Sequence, residues 1–325
     1  MKRYIGVLFA IAFVIGGIIF AYKKYDTKTT EAARDVSEAR LREEYYERVA
    51  WIANIPDQKA YTNEVSTFFS WWFKQVTEHQ NRFGGNKKFD DYLVELKERA
   101  DKPGKNESLD AKKATYEYER KIFDMLKGGN YSPQWTGTNN GIRLDIVSTD
   151  PVMSGGEPKI RYQVVVWGLP RETKQTDERG TKKVSTNASF GITWKFTDEK
   201  GRLLAEMNAN GDPANKIDWP ERFIKWFPPG LLIGYYDVDL IPAEVPPQDE
   251  KAKDKKPVPV KTAEITFRIS ARSPTGGDMT SQLVWKLDVP AEWKLKPGEA
   301  WKGAGVDVRP EEEIDPSKKE KEPKG

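Results

Sequence analysis

The sequence predicts an α+β chain: an N-terminal transmembrane helix, a membrane-proximal helical region, and then an antiparallel β-sandwich of immunoglobulin-like kind. Three observations predict it. Residues 4–22 carry no charge, the apolar spacing changes from three-and-four to two near residue 130, and the short strands that follow lack alternating crossover helices.

The first element is the apolar run, bounded by Tyr4 and Tyr22. At ~1.5 Å per residue it reaches roughly 28 Å, close to the ~30 Å hydrocarbon layer of a bilayer. Lys2 and Arg3 precede it, Lys23 and Lys24 follow, and the two tyrosines occupy the interfacial positions favoured by aromatic rings. A cleaved signal would need a shorter apolar core and a small-x-small site, whereas Ala21 leads into Tyr22-Lys23-Lys24. The expectation is therefore an uncleaved signal anchor over residues 1–24 that contacts the lipid bilayer through Tyr4 to Tyr22. The short basic N-terminus favours an extracytoplasmic, periplasmic body, although basic residues also follow the run.

Residues 25–130 read as a helical region, either a small bundle or a stalk. Leu41, Tyr45, Val49 and Ile52 follow helical spacing, and Asn54-Ile55-Pro56 ends that pattern. Tyr61, Val65, Phe68, Phe69, Trp72, Phe73 and Val76 then form one aromatic stripe. The Trp71-Trp72-Phe73 cluster could offer a partner or a sugar a platform, but its periodicity favours a buried helix face. Shorter helical patterns span 89–100 and 108–127.

Residues 131–300 form the expected sandwich. Ile142, Leu144 and Ile146 alternate with polar residues, as do Ile160, Tyr162, Val164 and Val166. The set Ala188, Phe190, Ile192, Trp194 and Phe196 leads through Asp198-Glu199-Lys200-Gly201 into a second strand at 203–207, which reads as a hairpin. Further strands are expected at 231–241, 263–271 and 283–289. Segments 170–183 and 242–259 read as surface loops, and 301–325 as a disordered charged tail.

Composition excludes several functions. With 53 basic and 50 acidic residues interspersed, no concentrated positive field exists for phosphate, so nucleic acid is not an expected partner. Cysteine is absent, which removes thiolate chemistry and cysteine metal sites. The single histidine, His79, has no catalytic motif around it and reads as a solvated residue near a helix end. No cofactor is expected, and the glycine pairs at 155–156 and 276–277 lack the Lys-Ser or Lys-Thr of a phosphate loop. Asp237 and Asp239 share one face of a strand, where carboxylates could hold a cation or cleave a glycoside, but that face reads as the solvated one. Sequons at Asn106, Asn130 and Asn187 matter only in a glycosylating host.

The stretch at 218–227 stands out. Asp218 is a candidate N-cap, Pro220 falls in the first turn, and Trp219, Phe223, Trp226 and Phe227 share a helical face. Such a face either docks a partner or covers an open end of the sandwich. The functional expectation is an anchored envelope protein whose sandwich binds or positions other envelope proteins. A cell-wall or carbohydrate-binding module is the alternative, and an enzyme using carboxylates ranks last.

Overall fold

The computed structural model describes the backbone of residues 2–84, 131–154, 156–170, 173–177, 180–184, 188–211, 215–216, 230–245, 256–272, 278–296, 299 and 306–307, with scattered positions between 91 and 125. The chain is α+β, with antiparallel sheets, and among the described residues no sheet closes into a barrel. It divides into two compact units: residues 1–48 with 59–131, and residues 49–58 with 132–325.

The first unit is helical. Helix α1 runs without interruption over Lys2–Ala53 and α2 over Gln58–Phe83. The side chains of residues 2–25, and with them the expected bilayer contact, lie outside the described residues. Among the described residues no helix is long and apolar enough to cross a membrane. Within the unit the aromatic stripe of α2 is buried from Tyr61 to Val76. Tyr45 of α1 lies with its ring 5.6 Å from Phe68 and 4.7 Å from Trp72, and burial pushes its phenol pKa up. Trp71, on the flank of the stripe, is only half-buried and carries the Arg48 guanidinium 4.1 Å above its ring. His79 corrects an expectation. It is buried, because 72, 76 and 79 continue the same face, and its Nε2 lies 3.4 Å from the Arg34 carbonyl oxygen. That contact, with Tyr45 against Trp72, runs the two helices antiparallel.

The second unit holds two five-stranded sheets. In the first, β1 (Trp135–Asn139), β2 (Ile142–Ser154), β3 (Glu157–Trp167), β9 (Leu231–Asp239) and β8 (Asn215–Lys216) lie in that spatial order. In the second, the order is β13 (Asp278–Asp288), β12 (Thr262–Arg272), β6 (Ala188–Thr197), β7 (Leu203–Gly211) and β14 (Val306–Asp307). One buried cluster draws on both, with Ile142, Tyr162 and Val166 from the first and Phe190, Trp194, Ile265 and Phe267 from the second. Fully burying a side chain of this size contributes ~2–3 kcal/mol, so the alternation along β2, β3, β6 and β12 fixes which face turns inward. Trp135 stacks on Phe267 and Trp285, each with centroids 5.9 Å apart.

Turns follow their residue chemistry. Asn140 and Gly141, at φ 49° and 72°, link β1 to β2 by a two-residue turn with both residues left-handed. Asp198 holds the β6–β7 turn, its Oδ1 accepting from the N–H groups of Lys200 (2.8 Å) and Arg202 (2.9 Å), with Gly201 at φ 76°.

The segment expected as a loop at 170–183 instead contains a hairpin, β4 (Thr173–Asp177) paired with β5 (Gly180–Val184). Its strands are polar on both sides, so no apolar alternation announces them. Part of the other expected loop pairs as well, β10 (Glu244–Val245) with β11 (Val258–Pro259).

Candidate functional site

Trp219, Phe223, Trp226 and Phe227, the expected partner-binding residues, lie outside the described residues, as do Asn106, Asn130, Asn187 and the 276–277 glycines. Asp237 and Asp239 are described. They occupy β9 directly across from Arg161 and Lys159 of β3. Arg161 donates from Nε to Asp237 Oδ1 at 2.7 Å and from Nη2 to Oδ2 at 2.8 Å, and its guanidinium lies 3.8 Å above the Tyr235 ring. Lys159 Nζ donates to Asp239 Oδ1 at 2.9 Å, a bond that raises the lysine pKa against the opposing effect of burial. Both carboxylates are thus bound by cations of the chain itself, and the Arg161–Asp237 pair, with side chains 15% and 10% exposed, is more enclosed than a solvated face would make it. Among the described residues no group of three or more His, Asp or Glu side chains is arranged to hold a metal ion.

A different polar group lies on the same outer face, further along β2. The strand pattern turns Ile142, Leu144 and Ile146 into the core, so Arg143 and Asp145 point the other way, yet they are 3% and 0% exposed. Residues 49–58 account for the cover. Arg143 Nη1 donates to the Ile55 carbonyl oxygen at 2.7 Å, Nη2 to Gln58 Oε1 at 3.3 Å, and Nε to Thr136 Oγ1 at 2.9 Å. Asp145 Oδ1 stands 3.6 Å from Arg143 Nε, while its Oδ2 accepts from the buried indole N–H of Trp167 at 3.0 Å. Gly168, next in the chain, needs its φ of 80°. A Cβ there would run into the Gly141 carbonyl oxygen and lie 3.0 Å from Ala53 Cβ. The loop after α1 and the first residue of α2 are therefore held on β2 by a buried guanidinium. Alternation alone only turns Arg143 away from the core, and two of its three acceptors lie 85 and 88 residues away.

The edges of the two sheets meet on one side. Asn139, ending β1, donates from Nδ2 to the Gln282 carbonyl oxygen at 3.0 Å, and its own carbonyl accepts from Ser281 Oγ at 2.8 Å. Of the described tryptophans, Trp51 is 54% exposed, whereas Trp72, Trp167, Trp194 and Trp293 are buried.

No protein-family model matches the chain, and no curated protein matches it. Among solved structures, the X-ray structure of Northeast Structural Genomics Consortium target SoR45 is similar over 49% of this chain and 96% of that one, at 14% identity and a TM-score of 0.24. A likeness at that level carries no argument. The fold and site define an α+β protein with antiparallel sheets and a buried arginine that holds the loop after its first helix.

Proposed function

We propose that the chain is a single-pass envelope protein, held in the bilayer by residues 4–22 with its body on the extracytoplasmic side. In this reading its two sheets form an immunoglobulin-like sandwich that binds or positions other envelope proteins. The observation that carries it is the course of α1. The uncharged run lies in one uninterrupted helix, Lys2–Ala53, which ends two residues before Ile55, whose carbonyl the Arg143 guanidinium holds. A tether continuous in sequence with the segment that Arg143 holds suits a protein whose task is to keep its sheets near a membrane. The sandwich reading draws support from a core shared by both sheets and from Asn139 bridging their edges.

The carbohydrate alternative has less support. It needs several rings on one surface, and the described outer face of the second sheet presents Thr193, Lys195, Glu264, Thr266, Arg268, Gln282 and Lys286.

The test has two arms. Membrane flotation with protease treatment of spheroplasts should leave the protein in the bilayer fraction and remove its body. Mild-detergent purification should recover other envelope proteins, and replacing Trp219, Phe223 and Trp226 by Ala should lower that recovery. A body protected from external protease, or a preparation free of partners, would count against the proposal.

A further inference from the structure

Strand β13 borders the second sheet, and its two halves differ. Along β13 the carbonyls of Thr280 and Gln282 accept from the Asn140 and Asn139 side chains, at 3.5 Å and 3.0 Å. Both carbonyls therefore point away from β12, and by strand alternation so do the N–H and C=O groups of Val284, Lys286 and Asp288. The N–H of Val289 fits the same phase, since it points the other way and donates to the Lys261 carbonyl at 3.1 Å. Asn139 and Asn140 cover the first half of this edge. Among the described residues nothing pairs with the outward backbone groups of the second half, where Val284 is 48% exposed and the Lys286 side chain 77%. An open edge of this kind is a template for another strand.

We infer that residues 284–288 join two copies of this chain edge to edge, antiparallel, with Lys286 of each copy opposite Asp288 of the other. Charge selects this occupant and this register. A two-fold axis at Leu287 makes Lys286 and Asp288 a hydrogen-bonded pair twice over, giving about four backbone bonds and two opposite-charge contacts. Moving the register by one step sets Lys286 against Lys286. Moving it by another brings Gln282, whose carbonyl Asn139 already occupies, under the second copy. Within one chain Lys286 Nζ lies 3.0 Å from Glu264 Oε2. That pair is exposed enough to hold the lysine loosely, so it can be shared with the incoming carboxylate. On the other face, Leu287 meets Leu287 of the second copy across the axis, beside the half-buried Trp285. The surface is short, which fits an association strengthened by confinement of both copies to one membrane. The inference does not depend on the partner-binding reading, since it concerns copies of this chain alone.

The chain has no cysteine, so one introduced thiol is unique. In membranes carrying the full chain, Leu287→Cys should give a disulfide-linked dimer under mild oxidation, because residues facing each other at such an axis have Cβ atoms ~4.5–5.5 Å apart. Val284→Cys, which falls opposite Pro290, should cross-link at least fivefold less. By mass measurement in mild detergent, Lys286→Glu should reduce the dimer about tenfold, and Lys286→Glu with Asp288→Lys should restore it. The charge series stands alone if the Cys variant folds poorly. A monomeric wild type, stronger cross-linking from Val284→Cys, no recovery in the double variant, or an edge occupied by a different protein would overturn the inference.

Discussion

Replacing Arg143 by Met should weaken the second unit by ~3–5 kcal/mol, because it removes the partner of a buried charge and leaves that charge in place. The guanidinium is 3% exposed and makes three hydrogen bonds, to the Ile55 carbonyl, Gln58 and Thr136, while Asp145 is fully buried. A methionine of similar length fills much of the volume, so the loss is electrostatic and polar rather than a cavity. The corresponding change in the opening equilibrium is roughly two to nearly four orders of magnitude. Adding Asp145→Asn should recover a large part of it, since a neutral amide oxygen can still accept from the Trp167 indole N–H. Urea unfolding followed by tryptophan fluorescence measures the stability. Hydrogen exchange should show residues 49–58 losing protection first in the single variant. The reasoning fails if Arg143→Met unfolds within 1 kcal/mol of the wild type, or if the double variant is less stable than the single one.

Two glycines with similar backbone angles should behave differently. Gly141→Ala meets open space and carries only the left-handed penalty of about 1 kcal/mol, whereas Gly168→Ala drives a Cβ against the Gly141 carbonyl and should cost more than ~2 kcal/mol; thermal melts of the pair test the difference. The Asp198 carboxyl responds to pH. Burial opposes its ionisation, but the N–H groups and guanidinium of Arg202 and the Lys200 N–H outweigh burial and hold its pKa below the usual range. Its contribution is therefore fully present above about pH 4, the unfolded value, and is lost as pH falls through the lower folded value. Acid titration of stability should flatten in Asp198→Asn, and an unchanged acid limb would refute the assignment.

What could be read from the sequence was what repeats locally. The aromatic stripe from Tyr61 to Val76 and the alternation in β3, β6 and β12 each encode one buried face within a single element. Strand β1 was harder, because five residues with one large apolar side chain show no period, although Asn140-Gly141 beside it is a strong turn signal. In β2 the visible alternation stops at Ile146 while the strand runs on to Ser154. A register shift between Ile146 and Ser148 explains this, since the extra residue reverses which positions face inward. Arg143 and Asp145 could not be recognised as buried, because alternation only says that they face away from one core. Whether a second layer covers them depends on residues far along the chain. Asp237 and Asp239 were placed on the correct side of β9, but their cationic partners on β3 are a matter of register between strands.

The two units are not consecutive pieces of chain: the backbone passes from one to the other after residues 48, 58 and 131. Residues 49–58 thus leave the ribosome 85 or more residues before Arg143 reaches them. Until then the Ile55 carbonyl and the Gln58 side chain lack the guanidinium that will bond them, and closing a loop of that length must precede any gain from the clamp. Folding of the sheets is accordingly tied to the order of synthesis. A fragment that begins at residue 132 would emerge with Arg143 facing water, so the natural boundary for expressing the β unit lies upstream of Val49.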